Sequence, residues 1–537
     1  MAMANGEAGL GTGQGRTRGD RAAPDRASGR ATGRALDETS PIAVAAKAAT
    51  PTGILILFMA TLILPVSAEI AGIRLSPVRA FLLAAFAPAV VYALSGRMGR
   101  WRVPDYIVVT FGLWMIAAIF VNEGASKLPY ATVLALELVG GYLLGRLLVR
   151  NAADWKRLVK VHLWLIAIMA PFAAVELFTG IQLWAIMLDP IGDVTWRGVS
   201  SRPRMGMERV LAGFDHPILF GLFCSIAAAN IFYIWRHTVM RALVGVGFVT
   251  GMTFASLSSG PLLSILVQAG LVGWNETMKG RWKLLAGLFA TVWIFLSLAS
   301  NRGPIILFIE KMTFSSHNAW MRVNQWEFAW AEVERNPLFG IGLGEWAHPY
   351  WMSDSIDAFW LATALRYGLA GLILLVAAFV MMARTSFRAG PLDETAARYR
   401  LGWGIGLIGL MFTLTTVHVW DAISVFVMFY LGAGGWYADA AGRAAAATDE
   451  GAADGAEDAA DADADARPGR PGDTPYSRGL GPRHSRTGDA KTAATTPAAS
   501  PAPPAPGPDR PARQRTRSRP FPEPRAETRR VPGYRRP

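Results

Sequence analysis

Apolar residues in this chain gather into blocks of about twenty with almost no charge among them, the length an α-helix needs to cross a hydrocarbon core. A soluble chain of 537 residues would divide its apolar residues among amphipathic segments. Only α-helices satisfy their own backbone in lipid with continuous runs like these. The fold class is therefore all-α, a polytopic integral membrane protein with about twelve transmembrane helices. The spans lie near 51–69, 77–96, 104–122, 129–149, 156–178, 216–235, 241–257, 260–276, 282–300, 357–383, 399–417 and 420–437. The seventh and eighth meet at the tight turn Ser258-Ser259-Gly260-Pro261.

The net charge of +13 suggests nucleic acid only until the charges are located. Lys and Arg concentrate in the two tails and in alternate short loops, among them Arg97, Arg100 and Arg102, then Arg150, Lys156, Arg157 and Lys160. Arg236 and Arg241, Lys279, Arg281 and Lys283, and Arg384, Arg388, Arg398 and Arg400 continue the pattern. That bias places both termini in the cytoplasm. Outside the membrane context no basic face alternates with aromatics, so nucleic acid is set aside as a partner. The single cysteine, Cys224, falls inside a span and serves packing.

Three regions follow: a cytoplasmic N-terminal tail over 1–48, a transmembrane domain over 49–438, and a cytoplasmic C-terminal tail over 439–537. Both tails are disordered by composition, the second an Ala/Asp/Glu run followed by a Pro/Arg-rich run. Two long loops, 179–215 and 301–356, face outward and carry arginines that topology does not require: Arg197, Arg202, Arg204 and Arg209, then Arg302, Arg322 and Arg335. Arginine holds phosphate oxygens in pairs and keeps its charge. An anionic ligand at headgroup level explains the cluster, although single arginines also snorkel to lipid phosphates or pair with Asp193 and Glu208. Asp215-His216 at the entrance of the sixth span adds polar groups beside them, and Asp215-His216-Pro217 equally reads as a helix N-cap with proline in the first turn.

In the second loop, Ala319, Val323, Trp326, Trp330 and Val333 recur at helical spacing. They predict an interfacial helix over 316–334, stopped before Asn336-Pro337, with Arg322 on the edge of its apolar stripe. Trp326 and its neighbours Trp320, Trp330, Trp346, Tyr350, Trp351 and Trp360 form either a sugar platform or an ordinary aromatic belt. The run Gly340-Ile341-Gly342-Leu343-Gly344 follows a helix, not a strand, so it is no dinucleotide fingerprint; it permits a tight turn, with its amides available to an anion. At the start of the tenth span, Asp357 stands at the mouth and Arg366 about two and a half turns deeper, where an arginine faces a partner or a wet cavity. Asp357 has three readings: helix cap, counter-ion or general base.

Taken in order, Arg209…Phe214-Asp215-His216-Pro217…Gly221, Arg322 with Asn324-Gln325-Trp326-Glu327, Asn336-Pro337-Leu338-Phe339-Gly340, and Asp357-Ala358-Phe359-Trp360-Leu361 with Arg366-Tyr367-Gly368 resemble the O-antigen ligase and Wzy-type polymerase superfamily. The resemblance covers roughly 200–375 in its motifs and 50–437 in its hydrophobic architecture. It implies an inverting glycosyltransferase of GT-C-like fold on the outer face of the bacterial cytoplasmic membrane. The implied donor is a glycan on undecaprenyl pyrophosphate; the acceptor is a second lipid-linked repeat in polymerases or lipid A-core in ligases. Arg209 and Arg322 would hold the pyrophosphate and stabilise the leaving group, with Arg202, Arg204, Asp215, His216, Arg302, Trp326 and Arg366 lining the substrate site. No cofactor or metal is implied, and a chain-length regulator is a possible partner besides membrane lipids. Ligases carry a His-Asn pair where this chain has Asp357-Ala358, which favours the polymerase branch and makes Asp357 the candidate base. A ligase and a lipid-linked-sugar flippase remain the alternatives, but a flippase would spread polar groups along many spans.

Overall fold

The computed structural model describes residues 52–70, 73–96, 98–191, 193–194, 203–299 and 316–443. Its helices are α1 (Thr52–Thr61), α2 (Pro77–Leu94), α3 (Val103–Glu123), α4 (Leu128–Leu148), α5 (Ala152–Thr179), α6 (Leu183–Leu188), α7 (Pro217–Ser225) and α8 (Ala227–Ile234). They continue as α9 (Val239–Ala255), α10 (Ser259–Met278), α11 (Trp282–Ala299), α12 (Ser316–Arg335), α13 (Phe359–Arg388), α14 (Glu394–Thr413) and α15 (Asp421–Gly432). Among the described residues, 7 helical stretches are long and apolar enough to cross a membrane, the architecture of a polytopic membrane protein. The other apolar stretches are helical too, but fall short of that length or apolarity. The 1–48 tail lies outside the described residues.

The fold is not purely α. Strands β1 (Val66–Ile70), β2 (Ile73–Leu75) and β3 (Asp193–Val194) form an antiparallel sheet in the order β2-β1-β3. The first apolar stretch therefore yields only the ten-residue α1. Pro65 offers no amide to continue the helix and biases Leu64 toward extended backbone.

Two close helix approaches set the core. The backbones of α4 and α15 meet so tightly that a Cβ at Gly145 would stand 2.2 Å from the Phe429 carbonyl oxygen, and one at Gly432 2.1 Å from that of Tyr142. Small residues permit this in the absence of a hydrophobic drive between helices in lipid. At one end of these helices the Arg146 guanidinium bonds Asp105 and Asp439, each at 3.0 Å, while Arg102 reaches Asp439 at 2.9 Å. The helical chain runs on to Arg443 and Asp439 is part of this buried network, so the folded body extends past the boundary expected at 438.

The sixth apolar stretch is broken between α7 and α8. In a continuous helix the Ala229 amide would bond the Ser225 carbonyl. Instead the Gln268 carboxamide of α10 enters the gap, donating to Ser225 O at 2.9 Å and accepting from Ala229 N–H at 3.1 Å. The inserted side chain is the cause of the break.

The tenth stretch departs most from its expected course. The rings of Trp360 and Phe379 lie 5.4 Å apart, although a straight helix would separate residues nineteen positions apart by about 28 Å. The chain reverses at Gly368, whose φ of 73° and ψ of 178° are non-helical. Phe359–Tyr367 is thus a half-helix laid back along the longer Leu369–Arg388 segment. Its start is tied to the end of α14, with the Phe359 amide donating to Leu414 O at 3.0 Å.

Candidate active site

The segment from 203 to 216 is held from below by a buried carboxylate. Glu176 of α5 accepts the amides of Leu211 and Ala212 at 2.9 and 3.0 Å, and the Glu208 amide bonds Leu177 O at 3.1 Å. Met205 and Gly206 take positive φ angles of 54° and 74° in a two-residue turn closed by paired Arg204–Met207 backbone bonds. This framework aims two guanidinium groups at the turn joining α9 to α10. Arg204 Nη1 donates to Leu257 O at 2.8 Å; Arg209 donates to Ser256 O at 3.3 Å and Ser258 Oγ at 2.8 Å. Arg209 is 8% exposed. Burial pulls its pKa down to about 10, with a further contribution from Arg204. Burial also lowers that of Arg204, and Arg322 lowers it further, so three charges from two separate segments share one region.

Arg322 arrives on α12. Its inward face consists of Ala319, Arg322, Gln325, Ala329 and Val333, which is rotated from the expected stripe: Trp330 is exposed and Trp326 only partly covered. Arg322, 7% exposed, therefore lies within the buried face and not at its edge. It and Gln325 are one turn apart and both grip the segment before α13. Arg322 Nε lies 3.4 Å from Asp357 Oδ2; Gln325 donates to Ser355 O at 2.9 Å and accepts the Asp357 amide at 3.2 Å. Asp357 does not cap α13, whose N-cap is Ala358, so of its three readings the counter-ion has a contact behind it. Trp326 packs against the small core around Ala329 and Val333, its ring 6.5 Å from that of the exposed Trp330.

The glycine-rich turn has a structural role. The Ile341 amide donates to Leu365 O at 2.8 Å, Gly342 to Arg366 O at 3.1 Å, and Leu369 to Pro337 O at 2.7 Å. These bonds satisfy backbone left open by the reversal at Gly368, and the Leu343 amide goes to Glu123 at 2.9 Å. Its amides are spent on protein, so the turn is not an anion cradle. Arg366 stands at the reversal, exposed, with Nη1 3.4 Å from Gly342 O. It is not buried in a continuous span, and the half-helix sets it at the end opposite Asp357.

His216 is the N-cap of α7, and its Nδ1 accepts the Ile218 amide at 3.1 Å. With that lone pair occupied, the neutral ring carries its proton on Nε2, as a donor. Burial, then Arg209 and Arg204, pull its pKa down to about 4. Asp215 lies on the other side of the chain, 3.9 Å from Arg74. Two residues escaped the sequence reading. The Trp420 ring meets His216 edge-on at 6.1 Å and stacks with His418 at 6.0 Å. His418 is likewise pulled down to about 4 by burial and then Arg366, and its Nδ1 is buried without a hydrogen-bond partner. The signal is a histidine in the two-residue link His418-Val419 between the eleventh and twelfth stretches, with Trp420 and Asp421 opening the twelfth.

The structure thus brings Arg204, Arg209, Arg322, Asp357 and His216 into one neighbourhood, with Arg366 and Trp326 at its margins. Arg202 and Arg302 lie outside the described residues. No group of three or more His, Cys, Asp or Glu among the described residues is placed to hold a metal ion. A scan against protein-family models finds no match, and a search of curated proteins returns no significant match.

Proposed function

We propose that this chain is a glycosyltransferase of the O-antigen ligase and Wzy-type superfamily, on the polymerase branch. It joins glycan repeats carried on undecaprenyl pyrophosphate at the outer face of a bacterial cytoplasmic membrane. The observation that carries the reading is the convergence of Arg204 and Arg209 from the 203–216 segment with Arg322 from α12, with Asp357 in contact with one of them. Such a surplus of buried positive charge is costly unless an anion arrives to share it.

In this reading the three guanidinium groups and the Nε2–H donor of His216 bind the pyrophosphate oxygens. The acceptor hydroxyl oxygen attacks the anomeric carbon from the face opposite the pyrophosphate, giving inversion. The bond from that carbon to the pyrophosphate oxygen breaks, and its electron pair leaves with the phosphate, where the arginines stabilise the added charge. The hydroxyl proton passes to the carboxylate of Asp357, which is half-exposed beside Arg322. Twelve spans with both termini cytoplasmic would set these groups outside; a chain-length regulator and membrane lipids complete the partners. The test is a deletion strain complemented with Arg209→Ala and Arg322→Ala. Normal long-chain polymer in both would defeat the reading; loss of polymer with accumulation of single lipid-linked repeats supports it.

A further inference from the structure

Trp320 stands two positions before Arg322, about 200° around α12, and so projects away from the buried guanidinium. Its ring lies against that of Trp351, with centroids 4.8 Å apart and planes tilted by 30°, and Phe328 meets Trp351 at a steep angle at 6.5 Å. Trp320, Asn324 and Phe328 follow one another at four-residue steps, so Trp351 rests on one ridge of the helix. Both tryptophans stay exposed, and the adjoining Tyr350 is 98% exposed. Large apolar rings gathered in solvent mark interaction surfaces.

This surface is preformed. Met352 and Ile356 anchor the loop in the small core beneath it. Trp346 Nε1 donates to Asp354 O at 2.8 Å, His348 Nε2 lies 3.1 Å from Asp354 Oδ1, and the Ser353 and Ser355 hydroxyls are 2.9 Å apart. Gln325 then fixes Ser355, two residues before Asp357. A ligand that docks here has little loop ordering to offset. Beside the rings, Ser353 is exposed and Asp354 has 94% of its side chain exposed.

Charge decides what these rings meet. From Ser316 to Asp357 the chain carries six carboxylates against two arginines and no lysine, and one of the arginines, Arg322, is buried. A helix that lies on lipid headgroups carries Lys and Arg on its polar face; here Glu327 and Asp354 are exposed beside the aromatics and repel anionic headgroups and phosphates alike. We infer that this surface binds a neutral glycan chain. Sugar rings offer C–H faces to the negative faces of indole and phenol, while their hydroxyls donate to Asp354 and bond Ser353. The surface is open, so an extended chain can lie across it with no enclosed cavity. That it holds the glycan beside the transfer site rests on the proposed transferase reading; glycan binding itself does not.

Full-length protein in phosphatidylcholine nanodiscs is screened against an array of neutral glycans of graded chain length, and the tightest binder is titrated by calorimetry. Saturable binding is expected, tightening with glycan length and weakened about tenfold by Tyr350→Ala and by Trp351→Ala. Tyr350 has almost no packing to lose, so its variant keeps the test sound if Trp351→Ala unfolds. The rival occupant, the membrane, is read with a label. Cys224 is buried and is the single cysteine, so Tyr350→Cys supplies one reactive thiol for an environment-sensitive fluorophore. Emission typical of water, shifted by the bound glycan, is expected; emission typical of headgroup or acyl depth overturns the inference. So does the absence of saturable glycan binding, or binding that neither Tyr350→Ala nor Trp351→Ala weakens. Inorganic pyrophosphate in the same calorimeter separates the two readings. Glycan binding without pyrophosphate binding removes the transferase reading alone, and pyrophosphate binding that Arg322→Ala weakens, without glycan binding, removes this inference alone.

Discussion

Arg322 Nε and Asp357 Oδ2 lie 3.4 Å apart, joined across two segments that Gln325 also ties together. In the proposed reaction one partner holds phosphate and the other takes a proton, so their substitutions should differ in kind. Arg322→Ala should cut the rate of glycan transfer by about 10² to 10³ and weaken pyrophosphate binding. Asp357→Asn should cut the rate with pyrophosphate binding retained. If Asp357→Asn instead weakens pyrophosphate as much as Arg322→Ala does, Asp357 orients the arginine and is not the base.

A pH series addresses the two histidines, whose pKa values of about 4 lie below the value of about 6.5 expected for an unfolded chain. Between those values the unfolded state binds more protons than the folded one, so stability falls as pH drops from about 6.5 to about 4 and then levels off. Thermal unfolding in detergent should show this slope, and His418→Gln should flatten part of it. At neutral pH both rings are uncharged, so glycan transfer should show no acid limb near 6.5 that is lost on replacing either histidine.

The Arg146 network predicts a sharp limit to truncation. Asp439→Ala would strand Arg146, 1% exposed, with Asp105 as its one remaining carboxylate partner among those at 3.0 Å. Breaking a buried pair of this kind costs roughly 3–5 kcal/mol. A chain ending after residue 443 should fold and reach the membrane at the full-length level, whereas one ending after 438 should not. Immunoblots of membrane fractions compare the two.

Gly368 predicts a failure of local geometry. A Cβ there would lie 2.1 Å from Leu338 O at a φ of 73°. Gly368→Ala should therefore lose the seating of Asp357 and most transfer activity, while Gly270→Ala, whose Cβ would meet nothing within 4 Å, should behave nearly as wild type. Proteolysis of the 336–358 segment offers a readout independent of activity.

The helical membrane architecture was legible because lipid leaves the backbone few choices, and apolar blocks of that length state the outcome directly. Arg209 and Arg322 were legible for a related reason, as charges where topology asks for none. The reversal at Gly368 was not. Phe359-Trp360-Leu361 and the residues after Gly368 are equally apolar, and composition does not record a change of direction. The inward face of α12 was misjudged because apolarity was taken as the guide to burial, while Arg322 and Gln325 are buried through the partners they hold. His418 sits in a two-residue link and Trp420 at the first position of an apolar stretch, where neither stands out, and their neighbours come from distant parts of the chain.

The Gln268 carboxamide between Ser225 O and Ala229 N–H carries a consequence for the order of assembly. Were the segment broken before α10 is threaded into the bilayer, that carbonyl and amide would face hydrocarbon with neither water nor each other, at several kcal/mol for each unmet group. The nascent segment would stay continuous at first and break only when its neighbour docks. Maturation of this helix is then a packing event, later than insertion, and cells making a Gln268→Leu chain should trap an intermediate with α7 and α8 still unbroken.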